Sequence, residues 1–497
     1  MDKQDPIIVV GAGIFGLSTA LHLAEAGYAD VTVFDRHAVD KTRYSYFDGC
    51  DGASADASKI IRSAYGGQKE YTDLSAEAIV LWNAWNEEIK TVDEDNDLGL
   101  SRDDVIWNNN GVLMCTDQPV LSDFDRASAR NANPPGGEKL ALVTNDPEDR
   151  AVAEAKGLAH ALSPFAKPTV GVLDTTGGVV VADKACCFAL YKARKAGAKF
   201  ILGGGAGTFS SLLKNGEAVA GIKTADGKEH PAKTVVMACG GWTPSLVPAL
   251  DGLCETTAGS VLLYQLPEGS PLRRTLGYAE FPAFMFRQRE GVDGGLYGFP
   301  ADRRGVVKIG YRGIKYTNPV AQADGLDRSV PRTRWTTDDA AAGRGEDTTG
   351  AITDIPAKAH QVISDFVGEF LPALVEGGRV PVKMSRLCWY TDSFDNHYVV
   401  DRVPGVKGLA CATAGSGHAF KYLPNVGAWV VSILEGRGLD RPLARAWRWR
   451  ALEEGREPVN KLMLGREDGR TLANTELVTA EEEDGGLARA LASQSLS

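Results

Sequence analysis

The sequence predicts an α/β chain in two parts, a discontinuous dinucleotide-binding domain and a substrate domain built on an antiparallel sheet. Three observations predict it. Near the N-terminus a strand, a glycine turn, a helix and a second strand follow in order. Two later segments, 233–246 and 408–436, again run from an apolar strand into glycines. Between them lie stretches whose apolar residues alternate, as antiparallel strands with one solvated face do.

The first strand is the apolar run PIIVV, residues 6–10, and it stops at Gly11. The turn is GAGIFG, with Gly11, Gly13 and Gly16, and LSTALHLAEAGY after it carries apolar residues at helical spacing. Gly11 permits the tight turn, Gly13 lets backbone approach a pyrophosphate, and Gly16 lets helix and strand pack closely. The helix N-terminus, with Ile14 and Phe15, presents the positive end of a dipole. The strand VTVFD ends at Asp35, 19 residues after Gly16, where a carboxylate accepts ribose hydroxyls, with Arg36 beside it. Alone, G-x-G-x-x-G is weak; strand, turn, helix, strand and acid in order make a Rossmann-like unit. The motif does not separate NAD from FAD.

The segments assign residues 1–95, 166–246 and 385–440 to the nucleotide domain and 96–165 and 247–384 to the substrate domain. GGLYGFPADRRGVVKIGYRG reads as a hairpin, and the run from Ala321 to Ile355 as an exposed loop. Residues 441–497 read as a peripheral helix and loose end.

With 497 residues, 43% apolar and 24% charged, the chain is neither disordered nor membrane-spanning by composition. Its formal charge of -11 argues against nucleic acid or an anionic membrane as a partner. Eight scattered cysteines without a C-x-x-C pair, and no secretory leader, read as reduced thiols. The seven histidines show no metal-ligand spacing, so no metal is expected. The chain is expected to be a cytoplasmic monomer; the terminal SLS is a poor match to a peroxisomal signal.

In their order along the chain, GAGIFG, KIIRSAYG, LYGFP with VVKIGY, CWYT and GSGHAFKYLPNVG resemble the monomeric sarcosine oxidase and fructosyl amino acid oxidase (amadoriase) family of FAD enzymes. The resemblance implies an FAD-binding domain and a substrate domain with the flavin ring between them. It implies oxidation of a secondary amine at its C–N bond, with dioxygen reduced to hydrogen peroxide. It places Cys388 as the covalent thioether tether to the flavin, with Cys411 as the alternative. Chemically a thiolate is needed, and a cation such as Arg386 favours one. Lys308 is implied in oxygen activation, a fixed cation where negative charge develops. Arg62 and Lys421 are implied as the clamp on the substrate carboxylate, the fork of Arg binding both oxygens and Lys adding a point charge. Lys59 and Arg62, three apart, are read as sharing a helical face toward the flavin. Ser58 and Lys59 are taken as flavin contacts, Tyr297 and Tyr390 as aromatic walls near substrate, and Gly415, Gly417 and His418 as a third cofactor turn.

The sequence also departs from the family. The histidine before the KIIR segment corresponds to Ala55, Asp56 and Lys59 follow the amadoriase D-x-x-K pattern, and a histidine four residues after the oxygen-activating lysine is replaced by Arg312. The reading is therefore an oxidase of an N-alkyl, chiefly N-methyl, amino acid larger than sarcosine. Fructosyl amino acid, saccharopine or L-pipecolate oxidation are alternatives. A flavin dehydrogenase with another acceptor and a non-catalytic dinucleotide-binding protein stand as other classes.

Overall fold

In the computed structural model, the described residues are 1–133, 136–287, 295–333, 354–376, 380–458 and 470–479. The C-terminal SLS and most of the 321–355 run lie outside them.

Ile7–Val10 is buried on both sides because its side chains alternate between two cores. Ile7 and Val9 join a helical layer, while Ile8 and Val10 face a layer that includes Ile222 and Leu250. It sits within a six-stranded sheet ordered Val399–Arg402, Leu409–Thr413, Thr234–Met237, Ile7–Val10, Val31–Asp35, Lys199–Leu202. Its pairings are parallel except at the Val399–Arg402 edge. The helices Ile14–Glu25, Ala182–Lys195 and Val426–Leu434 cover one face, and a three-stranded antiparallel sheet, Phe209–Pro231, covers the other.

The second sheet has eight strands, ordered Val382–Ser393, Cys254–Gln265, Val306–Tyr316, Leu296–Phe299, Ala283–Arg287, Val112–Thr116, Val170–Asp174, Ala141–Val143. All neighbours are antiparallel except Ala283–Arg287 with Val112–Thr116. The helix Ala357–Phe370 backs it through a cluster of Phe165, Phe284, Phe286, Phe366 and Phe370. The hairpin read in LYGFP–VVKIGY is Leu296–Phe299 against Val306–Tyr316.

The structure differs from the sequence reading in four places. Val170–Asp174 and all of Val382–Ser393 beyond Met384 fall in ranges assigned to the nucleotide domain, yet both strands hydrogen-bond into the second sheet. Ser58–Ile61 is a strand paired with Gly178–Val181, so Lys59 and Arg62 do not share a helical face. Residues 319–329 form a small antiparallel pair pinned by Arg328 to Asp251 and Asp324, where an open loop was expected. Residues 442–452 are not peripheral: Trp447 is 0% exposed, its Nε1 donates to Tyr71 Oη at 3.0 Å, and its carbonyl accepts from Val400 N at 2.9 Å. Periodicity missed this because one large aromatic, not a stripe, anchors the segment.

Candidate functional site

A cavity of about 1460 Å³, part of it open to solvent, runs from the Gly11–Phe15 turn past Asp35 to the strand Val382–Ser393. Gly11 has φ +106°, and a Cβ there would lie 2.4 Å from Ala238 O; one on Gly16 would lie 1.7 Å from Gly11 O. Only glycine allows this crossing of turn and helix. Helix Ile14–Glu25 has no acidic residue in its first turn, and Ile14 N donates to Ser54 Oγ at 3.0 Å. Asp35 lines the cavity, accepting from Ala12 N at 2.7 Å and His37 N at 2.8 Å. Arg36 lines it too, its guanidinium 5.0 Å from the Trp242 ring. Gly415, Gly417 and His418 form the facing wall.

At the other end, Lys59, Cys388 and Tyr390 line the cavity. Along Val382–Ser393, Arg386, Cys388, Tyr390 and Asp392 alternate onto one face. Gly259 stands opposite Cys388, and Val261 and Leu263 of the same strand join Cys388 in a small apolar cluster. Behind Lys59 lies a buried charge cluster. Asp56 bonds Lys59 Nζ at 2.9 Å and Lys308 Nζ at 2.8 Å, and Lys308 also donates to Ser58 O at 2.6 Å. Burial works against every charge here; the cations Lys308, Lys59 and Arg386 nevertheless hold the Asp56 carboxyl far below its usual range. Burial also opposes both ammoniums, and the outcomes differ. The pull of Asp56 raises Lys59, whose side chain is 18% exposed, whereas the 3%-exposed Lys308, repelled by Lys59, is pushed down to about 8. Lys308 Nζ lies 4.1 Å from the Phe299 ring centroid, on the neighbouring strand. Tyr297 Oη is 3.3 Å from Tyr390 Oη, and the missing side chain of Gly310 makes room for the Tyr297 ring.

The third part is a cationic corner. Lys421, 3% exposed, sits in the turn Phe420–Tyr422 and donates from Nζ to Tyr65 Oη at 2.6 Å. Arg62 lies over the same ring, its guanidinium 4.4 Å from the Tyr65 centroid, and donates to Ala64 O. Burial first, then the nearby Arg62 guanidinium, holds the Lys421 ammonium well below its ordinary value. Tyr65 Oη and Tyr398 Oη each lie 3.0 Å from His418 Nδ1, while His418 Nε2 faces Asn396 O at 3.0 Å. Nε2 therefore carries the proton. Burial and Lys421 keep this imidazole neutral.

Two expected cofactor residues lie away from the cavity. Ser58 points its carbonyl at Lys308, and Ser54 takes the cavity position instead. Cys411 packs in the core with Val235 and Met237, its thiol pushed well up by burial. Lys308, Arg62, Lys421 and Tyr297 stand behind or beside the lining residues. Sequence reading missed Tyr65, which joins Arg62 to Lys421, and the buried ion pair of Lys315 with Asp392 under the Tyr390 ring. Asp392 did carry a signal, since it continues the every-second-residue series of Cys388 and Tyr390. Among the described residues, no three His, Cys, Asp or Glu form a metal cluster, and no helix is long and apolar enough to cross a membrane.

Residues 6–433 match the family described as DAO, FAD dependent oxidoreductase. The chain is 24% identical over 466 residues to L-saccharopine oxidase of Schizosaccharomyces pombe, covering 91% of this chain and 94% of that protein. It is 24% identical over 455 residues to monomeric sarcosine oxidase of a Bacillus species, covering 87% and 93%. Its structure superimposes on a modified fructosyl peptide oxidase from Aspergillus nidulans with TM-score 0.72, at 25% identity over 96% of this chain and 99% of that one.

Proposed function

The chain belongs to the DAO family of FAD dependent oxidoreductases, and from that premise we propose that it oxidises the C–N bond of an N-alkyl, chiefly N-methyl, amino acid to an imine while O2 becomes H2O2. Amine oxidases of this type are among its relatives, including those named for saccharopine and sarcosine.

The residues fit FAD. The glycine turn and the helix N-terminus free of acidic side chains suit a pyrophosphate, Asp35 suits a ribose, and Cys388 suits the flavin end. When bound, the flavin supplies the two-electron acceptor and passes the electrons to dioxygen. The chain supplies the rest. Arg62 and Lys421 bind the substrate carboxylate, and Tyr65 fixes their spacing. Tyr297 and Tyr390 wall the amine, whose nitrogen must be uncharged for its lone pair to assist loss of hydride. Lys308, locked by Asp56 and the Ser58 carbonyl, offers a preorganised cation for the oxygen step. Cys388 Sγ is the proposed covalent tether, since it lines the cavity and Cys411 does not.

The observation that carries the reading is the buried Lys421 beside the half-buried Arg62: among the described residues neither makes an ion pair, and Asp174 acts on Lys421 only at longer range. Two basic side chains gathered beside a cavity with no carboxylate in contact suit an anion. The test is a peroxide assay across N-methyl amino acids, L-pipecolate, saccharopine and fructosyl amino acids, paired with anaerobic bleaching. Peroxide from an N-methyl amino acid supports it; bleaching with slow, peroxide-free reoxidation makes the protein a dehydrogenase instead.

A further inference from the structure

Arg312 is a cation that the proposed reaction does not use. It stands on the strand Val306–Tyr316 behind the cavity lining, with its guanidinium 5.6 Å from the centroid of the Tyr390 ring. A Cβ built on Gly417 would come within 2.8 Å of Arg312 Nη1, so the guanidinium lies directly against the turn that leads into His418. Tyr390, Gly417 and His418 all line the cavity. Arg312 Nε is buried and makes no hydrogen bond, and among the described residues no carboxylate pairs with the guanidinium. Asp392, whose carboxyl the Arg312 charge helps hold low, bonds Lys315 and Thr257 through Oδ2; its buried Oδ1 makes no hydrogen bond and forms no ion pair with Arg312.

One carboxylate satisfies Arg62 and Lys421. A third cation in the same corner adds repulsion, and Arg312 is one of the charges that holds Lys421 below its ordinary value. Positive charge gathered in this way, with a rigid fork left unpaired, suits an anion with two separated charged groups. We infer that Arg312 receives a second carboxylate of the substrate, so that the oxidised amine is an N-substituted amino acid dicarboxylate with its α-carboxylate on Arg62 and Lys421. This rests on the oxidase reading above and deepens it by naming the substrate class.

The test uses the yellow holoprotein and two unreactive probes, glutarate and butyrate, titrated by calorimetry. Glutarate should bind the wild type about 30-fold more tightly than butyrate, as a desolvated charge pair commonly provides. In Arg312→Gln that ratio should collapse toward one. Arg312→Lys should keep part of it, since it preserves charge but not the fork. Equal binding of the two probes by the wild type overturns the inference, and so does an unchanged ratio in Arg312→Gln at an unchanged melting temperature. Turnover of N-methylglutamate against N-(carboxymethyl)alanine then tells whether the second carboxylate sits on the side chain or on the N-substituent. If glutarate needs Arg312 but no amine bleaches the flavin, the oxidase reading fails and the second anion seat stands. If monocarboxylic amines are oxidised while glutarate and butyrate bind alike, the oxidase stands and the second seat falls.

Discussion

Lys308 is a charged group whose charge is within reach of ordinary assay conditions. Burial pushes its ammonium down to about 8, so it carries its proton below that pH and loses it above. Reoxidation of reduced protein by O2 should therefore slow as pH rises through about 8, while anaerobic reduction follows a different profile; superimposed profiles would remove Lys308 from the oxygen step. Lys308→Met should slow reoxidation by at least about 100-fold and reduction far less, measured by stopped flow. Lys421 makes an opposite kind of statement. Its ammonium is held low in the free protein, and an arriving carboxylate raises it, so binding takes up a proton and affinity should weaken as pH rises. Calorimetry in two buffers of different ionisation enthalpy reads that proton directly. Arg62→Ala should weaken carboxylate binding by about 2–5 kcal/mol, because it leaves the ligand's charge half-paired. For Cys388, acid-precipitated wild type should stay yellow, Cys388→Ser should release the colour and Cys411→Ser should keep it.

Between elements, the ion pair of Lys315 with Asp392 joins the strands Val306–Tyr316 and Val382–Ser393, which are not neighbours but flank Cys254–Gln265. Both side chains are 0% exposed. Asp392→Leu strands a buried ammonium and should cost about 3–5 kcal/mol in denaturant melts; adding Lys315→Met should restore most of it. How much of this was legible from sequence depended on range. The GAGIFG turn, the strand to Asp35 and the LYGFP–VVKIGY hairpin declare themselves through residues within a few positions of one another. Lys59 and Arg62 misled because spacing of three suits a helix, while the pairing of Ser58–Ile61 with Gly178–Val181 comes from a segment more than a hundred residues away. Asp56 was visible as a motif letter, but its grip on Lys308 requires the folded chain. The same is true of Tyr65 and Lys421, 356 residues apart and in hydrogen-bond contact.

Across the whole molecule, the segment after the last helix of the nucleotide layer proves to be a keystone for its edge strand. Trp447 fills the space between Tyr71, Tyr398 and Trp429, and Arg450 ties to Asp395 at 2.5 Å. Trp447→Ala should destabilise the protein by about 3–5 kcal/mol, read as a lowered melting temperature, and added FAD should recover part of the loss by mass action. The two large sheets take their strands in turn along the chain, so the path passes repeatedly from one to the other: out after Val31–Asp35, back by Lys199–Leu202, out at Cys254 and back at Val399. A genetic exchange with a single breakpoint therefore cannot replace one sheet and leave the other whole. The substrate side of such a molecule is not a detachable cassette: grafting it means cutting the chain at several places, whereas a single replacement in the cavity wall leaves both sheets untouched.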